Sequence, residues 1–138
     1  MQRILITGAG GFIGRNLAVR LGELASFQVV PVTRADFPGY VAGVDAVVHL
    51  AGVNRPSDEA EFRRGNEGTT QVLCQALTAA GGRVPVIYAS SAKAGDDTAY
   101  GRSKAAAERL LLQHAERTGA PLYIFRLPNV FGKWCRPD

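Results

Sequence analysis

Apolar runs of strand length alternate along the chain with longer stretches of helical period. RILIT from Arg3, QVVPVT from Gln28, DAVVHLA from Asp45, VPVIYAS from Val84 and PLYIFRL from Pro121 read as strands. Helical patterns start at about Phe12, Ser57 and Thr98. Strand and helix in alternation predict parallel strands joined by helical crossovers, an α/β fold with a doubly wound parallel sheet. The strands are apolar throughout rather than at every second position, so both faces of the sheet are expected to be covered. Between QVVPVT and DAVVHLA lie only Arg34 to Val44, too few residues for a helix, another strand and a second helix. The usual third strand is therefore expected to be missing, giving the order 2-1-4-5-6 and leaving the second strand at the edge. Pro31 agrees, because a residue with no N–H is tolerated on an edge strand.

Composition narrows the class. The 46% hydrophobic and 20% charged residues suffice for a packed core in a chain of 138 residues. The 16 basic and 12 acidic residues give a net charge of +4, but the basic ones are scattered from Arg3 to Arg136. No block or aromatic-studded stripe forms, which argues against nucleic acid and leaves room for an anionic ligand. Cys74 and Cys135 lie far apart without metal-ligand spacing, so no metal site is expected and a reducing compartment fits. Met1 leads straight into RILIT, shorter than a signal-peptide core, and no run of about 18 apolar residues occurs. The expectation is a soluble, cytoplasmic chain with no membrane partner.

TGAGGFIG, Thr7 to Gly14, follows the first strand and opens the first helix. In that context Gly8 suits a tight turn, Gly11 a close backbone approach to a pyrophosphate, and Gly14 close packing of helix on strand. The helix N-terminus, with Phe12 and Ile13 in its first turn, offers free N–H groups and partial positive charge to phosphates. An acid at the end of the second strand would hold the ribose 2′-hydroxyl of NAD; Thr33 and Arg34 stand there instead. That favours NADP, since a guanidinium binds a 2′-phosphate. Asp36 nearby and a solvated Arg34 keep NAD open.

In the third helix Tyr100, Lys104, Ala107 and Leu111 share a stripe, so a lysine points the way an alanine and a leucine point. A tyrosine has a pKa of about 10, and a neighbouring ammonium favours its phenolate and eases proton transfer. Ser91 follows VPVIYAS on the carboxyl edge, where open α/β sheets bind ligands, and its hydroxyl can polarise a carbonyl. The competing reading is an ordinary amphipathic tyrosine–lysine pair beside a turn serine.

TGAGGFIG, HLAG from His49, NEGTTQVL from Asn66, Ser91 and YGRSK together resemble the extended short-chain dehydrogenase/reductases of the NAD-dependent epimerase/dehydratase family, across essentially the whole chain. VVHLAGVNRP and YIFRLPNVFGKWCRP are similar to the capsular-polysaccharide and O-antigen reductases within it. The resemblance implies a Rossmann-like fold and an NADPH-dependent reductase of a UDP-linked 4-keto-6-deoxy-acetamido-hexose. It implies Ser91, Tyr100 and Lys104 as catalytic residues, with Tyr100 and Lys104 also on the nicotinamide ribose. Leu50 and Ala51 would border the adenosine half, and Pro128 and Val130 the nicotinamide. Arg55 and Asn129 are candidates for the nucleotide-sugar substrate; Arg55 and Arg126 are candidates for its phosphates and equally for surface or packing roles. Asn66 falls on the family's helix asparagine, with helix packing as the alternative. His49 reads as a packed residue and Cys135 as an inert thiol.

The resemblance also implies a homodimer and a longer protein. Residues 1–138 read as an incomplete NADP-binding domain, because KWCRPD follows FRLPNVFG without a closing helix. The substrate-binding part and a metal-binding cupin domain are expected elsewhere. Two other readings stay open: a nucleotide-sugar epimerase, although only eight residues separate Ser91 from Tyr100, and a non-catalytic NADP-binding module. Dehydration is disfavoured, since Ala92, Lys93 and Ala94 follow Ser91 and Asp96 and Asp97 read as a turn.

Overall fold

The computed structural model describes residues 1–33, 37–53 and 58–135. Strand β1 (Gln2–Thr7) leads into helix α1 (Phe12–Gly22) and then β2 (Phe27–Val32). Strand β3 (Ala46–His49) follows, then helix α2 (Glu59–Phe62), a π-helical turn (Arg63–Gly68) and α3 (Thr69–Ala79). Strand β4 (Val86–Ser91), helix α4 (Ala99–Thr118) and β5 (Leu122–Leu127) complete the order. The five strands are parallel and run β2-β1-β3-β4-β5. This is the expected order, with the third strand of a complete sheet missing. Edge strand β2 carries Pro31 opposite Ile6 without losing a ladder bond on its outer side.

Register sorts the core into two faces. Leu5 lies beside Val47, Val47 beside Val86, and Val86 beside Leu122. These residues meet Leu73 and Leu77 of α3 and Ala107 and Leu111 of α4 in one large buried cluster. Each fully buried leucine contributes on the order of 2 kcal/mol, and Leu111→Ala would cost about 2–5 kcal/mol. Ile4 and Ile6 face the other way and pack on Leu17, Ala18 and Leu21 of α1.

The expectation of two covered faces holds for β2, β1 and β3 only. Ile87 and Ala89 of β4 sit beside Tyr123 and Phe125 of β5 on the α1 side, and Tyr123 and Phe125 are 55% and 53% exposed. The physical reason is that α1 is the one described helix on that face, and it packs against β1 and β2.

The helical pattern from about Ser57 also differs in detail. Ser57 lies outside the described residues, α2 starts at Glu59 with Asp58 as its cap, and its continuation widens into the π turn. A Cβ at Gly65 would collide with the Val53 side chain. The glycine thus admits the loop after β3 where a regular helix with a larger residue would exclude it.

Candidate active site

The turn after β1 is built by glycines. Gly8 has φ +68°, and a Cβ there would lie 2.7 Å from Ala51 N and 2.8 Å from the Leu50 carbonyl carbon. The Thr7 hydroxyl holds the same loop by accepting the N–H groups of Leu50 (3.0 Å) and Ala51 (3.1 Å). A Cβ on Gly14 would collide with Gly8 O, so this residue brings α1 down onto the turn. Gly11 is different. Its Cβ would meet Gly8 O at an ordinary 3.4 Å, so no packing demand explains its glycine. It is the N-cap of α1 and makes no side-chain cap bond, which leaves the N–H groups of the first turn, including Phe12 and Ile13, open to an anion.

Beside this turn lies a hollow of about 160 Å³ lined by Gly8, Thr33, Phe37, Ala51, Gly52, Val53, Gly65 and Thr69. Small and apolar walls next to an uncapped helix start suit a nucleoside joined to phosphates. Arg34, Asp36 and Arg55 lie outside the described residues; Thr33, which precedes Arg34 in the sequence, lines this hollow. The residues present therefore fit a dinucleotide at this end of the sheet.

The second half of the edge is carried by β4 and α4. Lys104, 7% exposed, donates from Nζ to Ala89 O at 3.1 Å and stands 4.7 Å over the Tyr88 ring. Burial pulls its pKa from 10.5 down to about 8, against an upward pull from the Glu108 carboxylate. Tyr100 is half-buried one turn nearer the helix start, its ring 5.6 Å from that of Phe62 on α2. Ser91 ends β4, and its Oγ accepts the Lys93 N–H at 3.1 Å while its own proton remains available. A Cβ at Gly101 would lie 2.5 Å from both Lys93 O and Asp96 O. That glycine is what lets the turn after Ser91 rest on the first turn of α4, capped by Thr98. Asp96 and Asp97 are exposed, in the turn the sequence suggests.

Asn66 joins the two halves. Its Oδ1 accepts Val53 N–H at 2.8 Å, and its Nδ2 donates to Val53 O at 3.0 Å and Ser103 Oγ at 2.9 Å. All three bonds clamp the loop after β3 to α4, the packing role. Pro128, Asn129 and Val130 follow β5 as an exposed stretch at the same end of the sheet. Arg126 has a partner inside the protein: Nε and Nη2 donate to Glu108 at 2.9 and 2.8 Å. Glu108 also accepts from Ser90 Oγ at 2.7 Å. Sequence reasoning missed Glu108, Gly101 and Phe62. Only Gly101 carried a local signal, a glycine inside an otherwise good helix.

Parallel strands in this order, a glycine turn feeding α1 and polar side chains along the carboxyl edge define a Rossmann-like α/β fold. Residues 4–138 match the NAD dependent epimerase/dehydratase family, and the chain belongs to it. Over 141 residues it is 49% identical to a UDP-2-acetamido-2,6-beta-L-arabino-hexul-4-ose reductase of Pseudomonas aeruginosa, covering 99% of this chain and 38% of that protein. Among solved structures it is similar to the capsular polysaccharide assembling protein CapF from Staphylococcus aureus, with TM-score 0.82 and 38% identity over 98% of this chain and 38% of that one. RMD from Pseudomonas aeruginosa, complexed with NADPH, gives TM-score 0.84 and 28% identity over 99% of this chain and 57% of that one. The chain thus spans 38% of the length of its curated relative.

Proposed function

We propose that this chain carries the cofactor-binding and proton-donating half of an NADPH-dependent reductase that acts on a UDP-linked 4-keto-6-deoxy-acetamido-hexose for capsule or O-antigen sugars. The observation that carries the reading is Lys104, a buried ammonium on the carboxyl edge, one helical turn from Tyr100 and bonded to β4 two residues before Ser91. The 49% identity to a nucleotide-sugar reductase supports the choice of substrate class.

Gly8, Gly11, Phe12, Ile13 and Gly14 would hold the pyrophosphate, Leu50 and Ala51 the adenosine, and Pro128 and Val130 the nicotinamide end. Arg34 would take the 2′-phosphate. When bound, the nicotinamide dinucleotide supplies a hydride. The chain's own residues handle the proton. Ser91 Oγ–H hydrogen-bonds the ketone oxygen and polarises it. Tyr100 donates its phenolic proton as that oxygen gains charge, and the Lys104 ammonium stabilises the phenolate left behind. Asn129 and Arg55 would contact the nucleotide sugar. The remaining substrate-selecting surface is proposed to belong to sequence outside residues 1–138, in a cytoplasmic homodimer.

In the full-length protein, Tyr100→Phe should abolish ketone reduction while NADPH still binds with near wild-type affinity by nicotinamide fluorescence. Undiminished turnover would remove Tyr100 as the acid. Arg34→Ala should weaken NADPH much more than NADH, and equal effects would turn the cofactor choice towards NAD.

A further inference from the structure

Tyr100, Lys104 and Glu108 stand at intervals of four on α4, so each lies one turn below the last on the side that meets the sheet. Successive turns grip successive residues of β4. Lys104 Nζ bonds Ala89 O, and Glu108 Oε1 accepts the Ser90 hydroxyl proton. Ser91 is next. We propose that Glu108 is a positioning residue of this site: its carboxylate pins α4 to β4 and β5 through Ser90 and Arg126, and supplies the negative charge that keeps Lys104 an ammonium. The inference rests on the reading of Tyr100 and Lys104 given above.

The asymmetry of the ion pair separates this role from that of an ordinary structural clamp. The Arg126 side chain is 52% exposed, whereas the Glu108 side chain is 9% exposed. A half-solvated guanidinium has no need of a buried partner. A buried carboxylate, by contrast, loses much hydration, and an apolar residue of similar size would pack there at least as well. The carboxylate brings negative charge within one turn of a buried cation. Among the described residues, the other groups facing Lys104 offer none. Tyr88 on β4 is kept protonated by burial first, then by the charges of Tyr100 and Glu108. His49 on β3 is kept neutral by burial, Asn66 on the π turn is uncharged, and Arg126 on β5 is a cation already turned onto Glu108. Glu108 itself is held ionised, by the Arg126 hydrogen bond first and against the effect of burial. Ser90 adds a geometric consequence. Ser90 is the neighbour of Ser91 in β4, so its bond to Glu108 also holds the strand end that carries Ser91.

Two variants of the full-length protein test this, Glu108→Gln and Arg126→Met. Each is read by the pH profile of kcat/KM for ketone reduction and by NMR titration of Lys104 labelled at Cε, without cofactor or substrate. Glu108→Gln should move both the alkaline limb and the lysine titration to lower pH by about one unit, with kcat falling more than KM rises. Arg126→Met keeps the carboxylate and removes a competing cation. It should leave the titration in place or move it upward, even though the unfolding temperature falls. Opposite behaviour of two variants that both weaken the clamp is not what a purely structural pair would give. An unchanged Lys104 titration in Glu108→Gln would overturn the proposal. If that variant does not fold, a downward shift in Arg126→Met overturns it instead, and an upward or absent shift supports it. Because the lysine titration needs no turnover, a protein that shows the shift but reduces no nucleotide sugar would refute the proposed reaction and leave Glu108's role standing.

Discussion

Thr7 Oγ1 donates its proton to His49 Nδ1 across 2.7 Å. The direction follows from counting: a hydroxyl has one proton and two lone pairs, and both lone pairs of Thr7 accept N–H groups, from Leu50 and Ala51. His49 must therefore carry its hydrogen on Nε2, which donates to Thr70 Oγ1 at 2.9 Å, and that hydroxyl passes its own proton to Asn66 O at 2.7 Å. Every donor along this path has an acceptor. The ring is a fixed neutral strut between the glycine turn and the π turn, with no nitrogen left for a metal.

The strut should show in acid. Burial first, and the Lys104 charge second, lower the His49 pKa from 6.5 to about 3. Below pH 6.5 the unfolded chain takes up a proton that the folded one refuses. Its contribution is therefore complete above pH 6.5 and is lost as pH falls towards 3, by up to about 5 kcal/mol. Urea unfolding of His49→Gln at several acid pH values should show a shallower loss than wild type. Parallel curves would mean that His49 does not set the slope.

Lys104 has a consequence of the same sign at high pH. Its folded pKa of about 8 lies below the ordinary 10.5, so between those values the unfolded chain holds a proton the folded chain has released. Stability rises with pH across that window, by about 3 kcal/mol. Lys104→Met should lack this rise and be more stable than wild type at pH 7 by about 1–3 kcal/mol, while losing its reaction. A wild-type stability that is flat from pH 8 to 10 relative to this variant would contradict the assignment.

Gly8 and Gly22 form a contrasting pair. Gly8→Ala places a methyl against the Leu50–Ala51 backbone at φ +68° and should cost about 2–4 kcal/mol and weaken dinucleotide binding. Gly22 ends α1, and a methyl added there would meet nothing within 4 Å. Gly22→Ala should stabilise by about 0.5–1 kcal/mol and leave binding alone. Thermal melts and a fluorescence titration of both variants decide the point.

The Tyr88 hydroxyl is buried and has no hydrogen-bond partner among the described residues. Tyr88→Phe keeps the ring beneath Lys104 and removes the desolvated oxygen, so it should be neutral or stabilising by about 1 kcal/mol. A loss of more than that in denaturant unfolding would show that the hydroxyl has a partner.

Local spacing made much of this legible in advance. The strand order follows from five apolar runs and from the eleven residues between Arg34 and Val44. The glycine turn and the tyrosine–lysine pair are each written within eight residues. Glu108 was hidden because AAAERLLLQHAER reads as a helix with a charged face, and its partners come from other strands: Ser90 and Arg126 each lie eighteen residues away. Arg126 read equally as a phosphate contact for the same reason. The π turn was invisible because RRGNEG has no periodicity of its own, and the Val53 side chain that packs against its Gly65 comes from another loop.

The strip formed by Ile87, Ala89, Tyr123 and Phe125 has a consequence at the bench. Apolar surface of this kind, next to the open backbone of strand β5, is what makes proteins cling to one another and to vessel walls. Handled by itself, this stretch of polypeptide should scatter light at concentrations where its circular dichroism is still that of a folded protein. Lysine or glutamate at Tyr123 and Phe125 should clear the solution without disturbing the turn that receives the dinucleotide.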